Sequence, residues 1–510
     1  RGCSAYAVAV KGERVDTSFQ YGDIRGPVGF RFSGGYERAD KFDNEFDPSS
    51  PDISTNLDDV DESREVVRAD GQVEYTLGSG KLGKAYVGGG ARVGFTEVYG
   101  VSSLRNQAVD GVVTNLRAGY ASDKFSFRAY WQSQSVDTEP QFFRTGTTNL
   151  SGQIESDVVS IEPLYRPTFE LGGTHRVVLG GEYRFKYIDW DYLNDVQTEN
   201  HFALFFQDAY EISSAFTILA SARLDVHPFI GPLGSPRVAF IFKPTSQQAL
   251  RLTAGTAFRV PTLAETYLSL EAPTQNPGAA IRLVGGQVDD NEIDEERIAS
   301  IDLGYRFIGD FLDVEVVGFF NRLTNLIVQT PLEGTGAVPP FDPELGTFVV
   351  AESTYVNSDR DFIAVGSELA TRWYPVDGLD LGGSYSFQYI FDEDTGDRFT
   401  DSPMHKFSVW GQLRTRLGFD AGLQLSFASD QEWIEPRFDP SDPSGFDRTP
   451  LPIDGSAVLV GRIAQRLFDD ALEIGVAGTN LLDVGDNRSR EHPFANRREA
   501  RVVAELIGRF

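Results

Sequence analysis

The chain ends Ala500-Arg501-Val502-Val503-Ala504-Glu505-Leu506-Ile507-Gly508-Arg509-Phe510. Side chains alternate sides along a strand, so this stretch sorts into two faces. Ala500, Val502, Ala504, Leu506, Gly508 and Phe510 form one that is wholly apolar or small. Arg501, Val503, Glu505, Ile507 and Arg509 form one that is mostly polar. A strand that meets hydrocarbon outside and water inside needs this division, and the final Phe510 supplies an aromatic at the bilayer boundary, as a closing barrel strand requires.

The same alternation recurs upstream. Phe125, Phe127, Ala129 and Trp131 interleave with Ser126, Arg128, Tyr130 and Gln132; Leu250, Leu252, Ala254 and Phe258 with Arg251, Thr253 and Gly255. Leu379, Leu381, Tyr385, Phe387, Tyr389 and Phe391 interleave with Asp380, Ser384, Ser386 and Gln388. Each stretch has the length of a tilted membrane strand, about ten residues. Short turns are expected at Tyr21–Arg25, Gly78–Lys81, Ala121–Asp123, Leu171–Gly173, Ser213–Ala215, Pro244–Gln247, Ile308–Asp310, Tyr374–Gly378 and Phe468–Asp470. Long polar segments fall between them: Glu37–Glu62, Val98–Gly111, Asp137–Ser156, Ile188–Asn200, Pro261–Asp294, Gln329–Arg360, Phe391–Met404, Ser429–Asp454 and Asp483–Asn496. The alternation of short and long predicts an all-β chain: an antiparallel transmembrane β-barrel of about 22 strands, with short periplasmic turns and long extracellular loops.

Composition agrees. Among 510 residues are 51 glycines, 38 phenylalanines and 19 tyrosines but a single methionine and a single cysteine. Mean hydropathy is −0.25, and no apolar run is long enough for a membrane helix; a barrel needs none, because only alternate residues meet lipid. The lone Cys3 excludes an internal disulfide framework and a cysteine metal site. A net charge of −29 argues against nucleic acid as a partner. No basic, then apolar, then small-residue leader opens the sequence at Arg1-Gly2-Cys3, so the numbering is expected to describe a mature or trimmed chain.

Several short runs, in this order, resemble the barrel of TonB-dependent outer-membrane receptors and transporters. They are Gly180-Gly181-Glu182-Tyr183-Arg184, Phe205-Phe206-Gln207-Asp208, Arg223-Leu224-Asp225 with Ser235-Pro236-Arg237, and Ala257-Phe258-Arg259-Val260-Pro261-Thr262-Leu263-Ala264-Glu265. Then follow Glu295-Glu296-Arg297, Phe319-Phe320-Asn321-Arg322, Gly366-Ser367-Glu368-Leu369, Ser402-Pro403-Met404-His405-Lys406, Asn480-Leu481-Leu482-Asp483 and the terminal Phe510. The resemblance covers nearly the whole chain, residues 1–510 being read as one barrel. It implies a Gram-negative outer-membrane protein that imports a scarce ligand of the ferric siderophore, cobalamin or glycan class. Loops and lumen would bind the ligand, and the TonB complex would supply energy through a plug. The family's N-terminal plug and TonB-contacting segment are not recognisable here. The plug is therefore expected to have been removed, to sit on another chain, or to be absent from a barrel that serves as a channel or as a structural component of a multiprotein cell-envelope complex.

Candidate sites follow. Arg259 is expected to face the lumen and, with Glu265, to contact plug or loop groups. Phe142 and Phe143 with Arg144, Trp190 and Tyr192, and Trp433 with Arg437 and Phe438 lie in expected extracellular loops; aromatics beside arginine suit a bulky planar or anionic chelate, with self-packing of the loops as the alternative. Asp40, Asp43 and Asp47 with Asp58, Asp59 and Asp61 are the candidate calcium ligands; Asp392–Asp397 lacks the closing Glu of a calcium loop and reads as a hairpin tip. No other cofactor is expected. His175, His201, His227, His405 and His492 are scattered without paired metal spacing and are read as structural. No Ser/His/Asp grouping is legible, so no enzyme is expected.

Overall fold

A computed structural model describes residues 2–11, 14–40, 62–80, 82–99, 106–140, 152–273, 278–288, 292–331, 333–343, 346–434, 437–438, 446–482 and 498–509. One antiparallel sheet dominates it. The sheet holds 23 segments, of which Gly152–Tyr165 and Thr168–Glu170 pair with the same neighbour and form one strand interrupted at Arg166-Pro167. Proline has no N–H for the ladder, which accounts for the break.

The resulting 22 strands are β1 Gly2–Lys11, β2 Val15–Arg25, β3 Val28–Asp40, β4 Glu62–Thr76, β5 Lys84–Tyr99, β6 Asn106–Ala121, β7 Phe125–Pro140 and the interrupted β8. They continue with β9 Thr174–Trp190, β10 Gln197–Ser213, β11 Phe216–His227, β12 Gly231–Thr245, β13 Gln248–Arg259, β14 Glu296–Ile308 and β15 Leu312–Thr324. The last are β16 Phe362–Val376, β17 Leu379–Asp392, β18 His405–Arg414, β19 Phe419–Ala428, β20 Ser456–Leu467, β21 Leu472–Thr479 and β22 Arg501–Arg509. β22 pairs with β1 from Ser4↔Arg509 to Lys11↔Val502, so the wall closes and has no free edge. Phe510 lies outside the described residues.

The two faces of each strand separate as the alternation demands. Leu116, Leu204, Leu252, Leu303, Leu423 and Leu506 stand bare on the outer wall. Near the short turns the same face carries Tyr75, Phe125, Tyr165, Phe216, Phe242 and Trp373, all exposed, as one aromatic girdle of a membrane barrel. Gly88, Gly89 and Gly90 sit where a Cβ would come within 2.7, 2.7 and 2.6 Å of neighbouring backbone oxygens, so these glycines let adjacent strands coil closely in the wall. Among the described residues no helix is long and apolar enough to cross a membrane.

Three connections depart from the sequence reading. The first turn is Gly26-Pro27 rather than Tyr21–Arg25: Arg25 pairs with Val28, and Gly26 takes the left-handed φ of +61° that a two-residue turn demands. A further short turn, residues 415–418, joins β18 to β19. On the loop side, β11 and β12 are joined by only Pro228-Phe229-Ile230, so the short–long alternation fails there. Phe229 packs edge-on against Tyr267 of a neighbouring loop, which supplies the covering that a longer connection would have made.

Candidate functional site

The inner face of the wall carries arginines paired with carboxylates, most of them on other strands. Arg117 on β6 donates two 2.7 Å hydrogen bonds to Asp70 on β4. Arg223 on β11 reaches Asp225 at 2.7 Å and Glu182 on β9 at 2.9 Å. Arg462 on β20 holds Glu473 of β21 at 2.5 Å and Glu505 of β22 at 2.7 Å, while Arg509 binds Glu473 at 2.8 Å. Charges so paired suit a hydrated lumen and would be costly on the hydrocarbon side. The residues of the final strand thus divide as their sequence implied: Leu506 outside, Glu505 and Arg509 in the lumen network.

Arg259 sits at the top of β13 and closes a second network. It donates to Glu296 through Nε at 2.6 Å and Nη2 at 2.7 Å, and to Glu265 through Nη1 at 2.8 Å and Nη2 at 3.0 Å. Glu265 belongs to the helix α1, Leu263–Tyr267, and forms its capping box with Thr262, so one carboxylate both starts the helix and anchors it to the wall. Arg259 and Glu265, both selected from the sequence, thus pair with each other.

Beyond α1 the long loops between β13 and β14 and between β15 and β16 fold together as a cap. Residues Ala279–Val284 run parallel to Thr347–Asn357, with Ser269–Pro273 on the other side. Arg282 stands at the centre of this small sheet, 2.7 Å from Glu271, 3.2 Å from Asp342 and 3.7 Å from Glu352, and these carboxylates raise its pKa. The apolar core of the cap is Leu268, Leu270, Leu283 and Tyr192, with Trp190, Ile281 and Tyr355 against it. Ser269 donates its backbone N–H to the Tyr192 carbonyl at 2.7 Å, tying the cap to the loop after β9.

The sequence-selected loop residues take different places. Tyr192 is a core residue, 4% exposed, and burial pushes its phenol up to about 12. Trp190 packs against it with the rings tilted, 5.3 Å between centroids. Both pack within the cap, following the self-packing alternative. Trp433 lies in a short ladder opposite Leu451, and Arg437-Phe438 pairs with Phe446-Asp447. Phe142, Phe143 and Arg144 lie outside the described residues, as do Asp43, Asp47, Asp58, Asp59 and Asp61 of the candidate calcium group. Asp40 is the last residue of β3. At the β17 tip, Asp392 accepts backbone N–H groups of Asp394 and Thr395, both at 2.9 Å, and the Arg360 guanidinium at 2.5 Å: a hairpin tip, as read from the sequence.

Two features were not legible in the sequence. One is a cavity of about 880 Å³ against the inner wall, lined among others by Glu315, Glu368, Ser384, Ser386, Lys406 and Ser408. The other corrects the reading of the histidines as scattered. His201 of β10 and His227 of β11 meet at 4.9 Å between ring centroids, and with Glu199 they bring three ligand-type atoms within 4.8 Å of one another. Glu199 and His201 form an i,i+2 pair on one strand face, which was a usable signal; His227 joins them only through the register Phe202↔Val226.

A closed wall with an ionic interior, an apolar exterior and a loop-built cap defines a β-barrel of the outer-membrane type. The sequence matches the family described as TonB dependent receptor-like, beta-barrel, over residues 10–459, and the chain belongs to that family. No curated protein matches it. Among solved structures, the siderophore receptor PirA from Acinetobacter baumannii is similar at TM-score 0.75 and 13% identity, covering 100% of this chain and 80% of that one. A variant of the ferric enterobactin receptor PfeA from Pseudomonas aeruginosa, in complex with enterobactin, gives 0.76 and 15%, covering 100% and 81%. The copper transporter OprC gives 0.70 and 12%, covering 100% and 80%. Membership places the chain with outer-membrane receptors and transporters.

Proposed function

We propose that this barrel imports a scarce, bulky ligand of the ferric siderophore class, captured at the capped mouth and released through the lumen when the TonB complex moves a plug seated there. The ionic inner wall carries the reading: it offers a plug a wettable, hydrogen-bonding lining, and Glu315, Glu368 and Lys406 around the 880 Å³ cavity leave polar groups at its surface. The similar siderophore receptors favour this ligand class over cobalamin or glycan. Contacts with the ligand are assigned to the outer loops bearing Phe142, Phe143, Arg144, Trp433, Arg437 and Phe438. A calcium ion held by the Asp40–Asp61 segment would tie the loop between β3 and β4. No covalent chemistry is required of the chain; binding and displacement suffice. Uptake of radio-iron chelates under iron limitation, in cells with and without the gene, tests the proposal. A loss of uptake that is restored by the gene is expected; equal uptake in both overturns it.

A further inference from the structure

We propose that Glu199, His201 and His227 form a binding site for a divalent transition ion of the zinc class, set into the upper lumen wall beneath the cap. All three side chains point inward, because Phe202, Leu204, Leu224 and Val226, of opposite parity on the same two strands, are exposed on the outer wall. Two imidazoles and one carboxylate are a ligand set for such an ion, with a position left for water. In a tetrahedral site, bonds of about 2.0–2.2 Å put ligand atoms about 3.3–3.6 Å apart, so atoms that lie within 4.8 Å of one another need close by no more than about 1.5 Å, a side-chain adjustment that leaves the strands in place.

A polar cluster without a metal would explain part of this geometry. His201 Nε2 lies 2.8 Å from Glu199 Oε2, and Lys186 Nζ lies 3.1 Å from the same oxygen. It does not explain His227. That ring is 3% exposed, and its Nδ1 has no hydrogen-bond partner. A buried ring nitrogen without a partner is costly, and coordination satisfies it. Phe229 lies edge-on to His227 at 4.4 Å, and Tyr267 of α1 follows at 6.3 Å, so an ion here would fix β10, β11 and the underside of the cap to one another. Lys186 is the resident counter-charge of Glu199, and a cation entering the site must compete with it.

That competition separates a metal site from an ordinary polar cluster. The whole chain, folded in detergent, is titrated with Zn²⁺ by calorimetry and with Co²⁺ by visible absorption. One equivalent is expected to bind, with ligand-field bands for cobalt. His201→Ala and His227→Ala are each expected to weaken binding by at least about tenfold, since even the loss of a hydrogen bond that merely orients a ligand costs that much. Lys186→Met is expected to tighten it. Heat-shifted electrophoretic mobility confirms that each barrel is folded. If a histidine variant fails to fold, the wild-type cobalt spectrum and the Lys186→Met comparison still decide. Absence of stoichiometric binding, affinity unchanged in His227→Ala, or no tightening in Lys186→Met overturns the proposal. The site is assayed without transport, so its failure leaves the import reading standing.

Discussion

The outer wall and the cap use the same residues in opposite ways. Leu204 and Leu303 stand 68% and 59% exposed on the wall, whereas Leu268 and Leu283 in the cap are 3% and 2% exposed. No property of leucine differs between them; the surrounding medium does. Hydrocarbon around the wall removes the penalty for an outward apolar side chain and imposes one on charge. Above the membrane, water restores the usual order, and the loops between β13 and β14 and between β15 and β16 fold inward on a small apolar core like any globular unit. The chain is therefore inverted around its middle and conventional at its mouth.

The sharpest way to break this comparison is a charge on the wall. Leu204→Arg places a guanidinium near the middle of β10 on the lipid side and is expected to cost about 2–4 kcal/mol in reversible unfolding from lipid vesicles. Gln207→Arg, three residues on and facing the lumen, is expected to stay within about 0.5 kcal/mol. Equal costs at the two positions would mean the faces are misassigned.

Next in size is a cavity in the cap. Leu283→Ala removes buried volume from a small cluster and is expected to cost about 2–3 kcal/mol locally. Hydrogen exchange across residues 263–284 should quicken while β9–β12 remain protected; protection lost throughout the barrel would show that the cap is not a separate unit. Arg282→Met is a smaller perturbation of the same unit. It leaves Glu271, Asp342 and Glu352 facing one another without their shared cation, at an expected cost of about 1–2 kcal/mol, and limited proteolysis should cut the cap sooner.

How much of this was legible follows the same division. The wall was readable because its rule is local: alternate residues meet alternate media, so β7, β13, β17 and β22 declare themselves without knowledge of their partners. Arg259 and Glu265 were readable because they lie six residues apart in one run. The cap was not. The parallel pairing of Ala279–Val284 with Thr347–Asn357, and the choice of Arg282 as its centre, depend on two loops meeting across the mouth. Tyr192 was read as a ligand aromatic beside its core alternative, because an aromatic in a loop looks the same in sequence whether it faces ligand or Leu268. His227 needed the strand register, and the short β11–β12 connection needed Tyr267 to be in place.

The smallest expected effect tests where Tyr192 sits. Its phenol holds the proton up to about 12 when buried, against about 10 for a free tyrosine. The open cap therefore releases this proton at lower pH than the closed one. The stabilisation is complete below about pH 10 and is lost as pH rises through 12, so alkali should draw the equilibrium toward the open cap. Hydrogen bonding to Thr138 opposes the shift and burial drives it, so packing rather than pairing sets the direction. Protease sensitivity of the cap, followed from pH 9 to pH 11, should rise in the wild type. Tyr192→Phe keeps the ring against Leu268 and Leu283 and removes the ionising group, and its rise should be smaller. A wild-type cap indifferent to alkali would place Tyr192 at an exposed surface, where the ligand reading of this aromatic would regain its ground and the contrast between cap and wall would narrow.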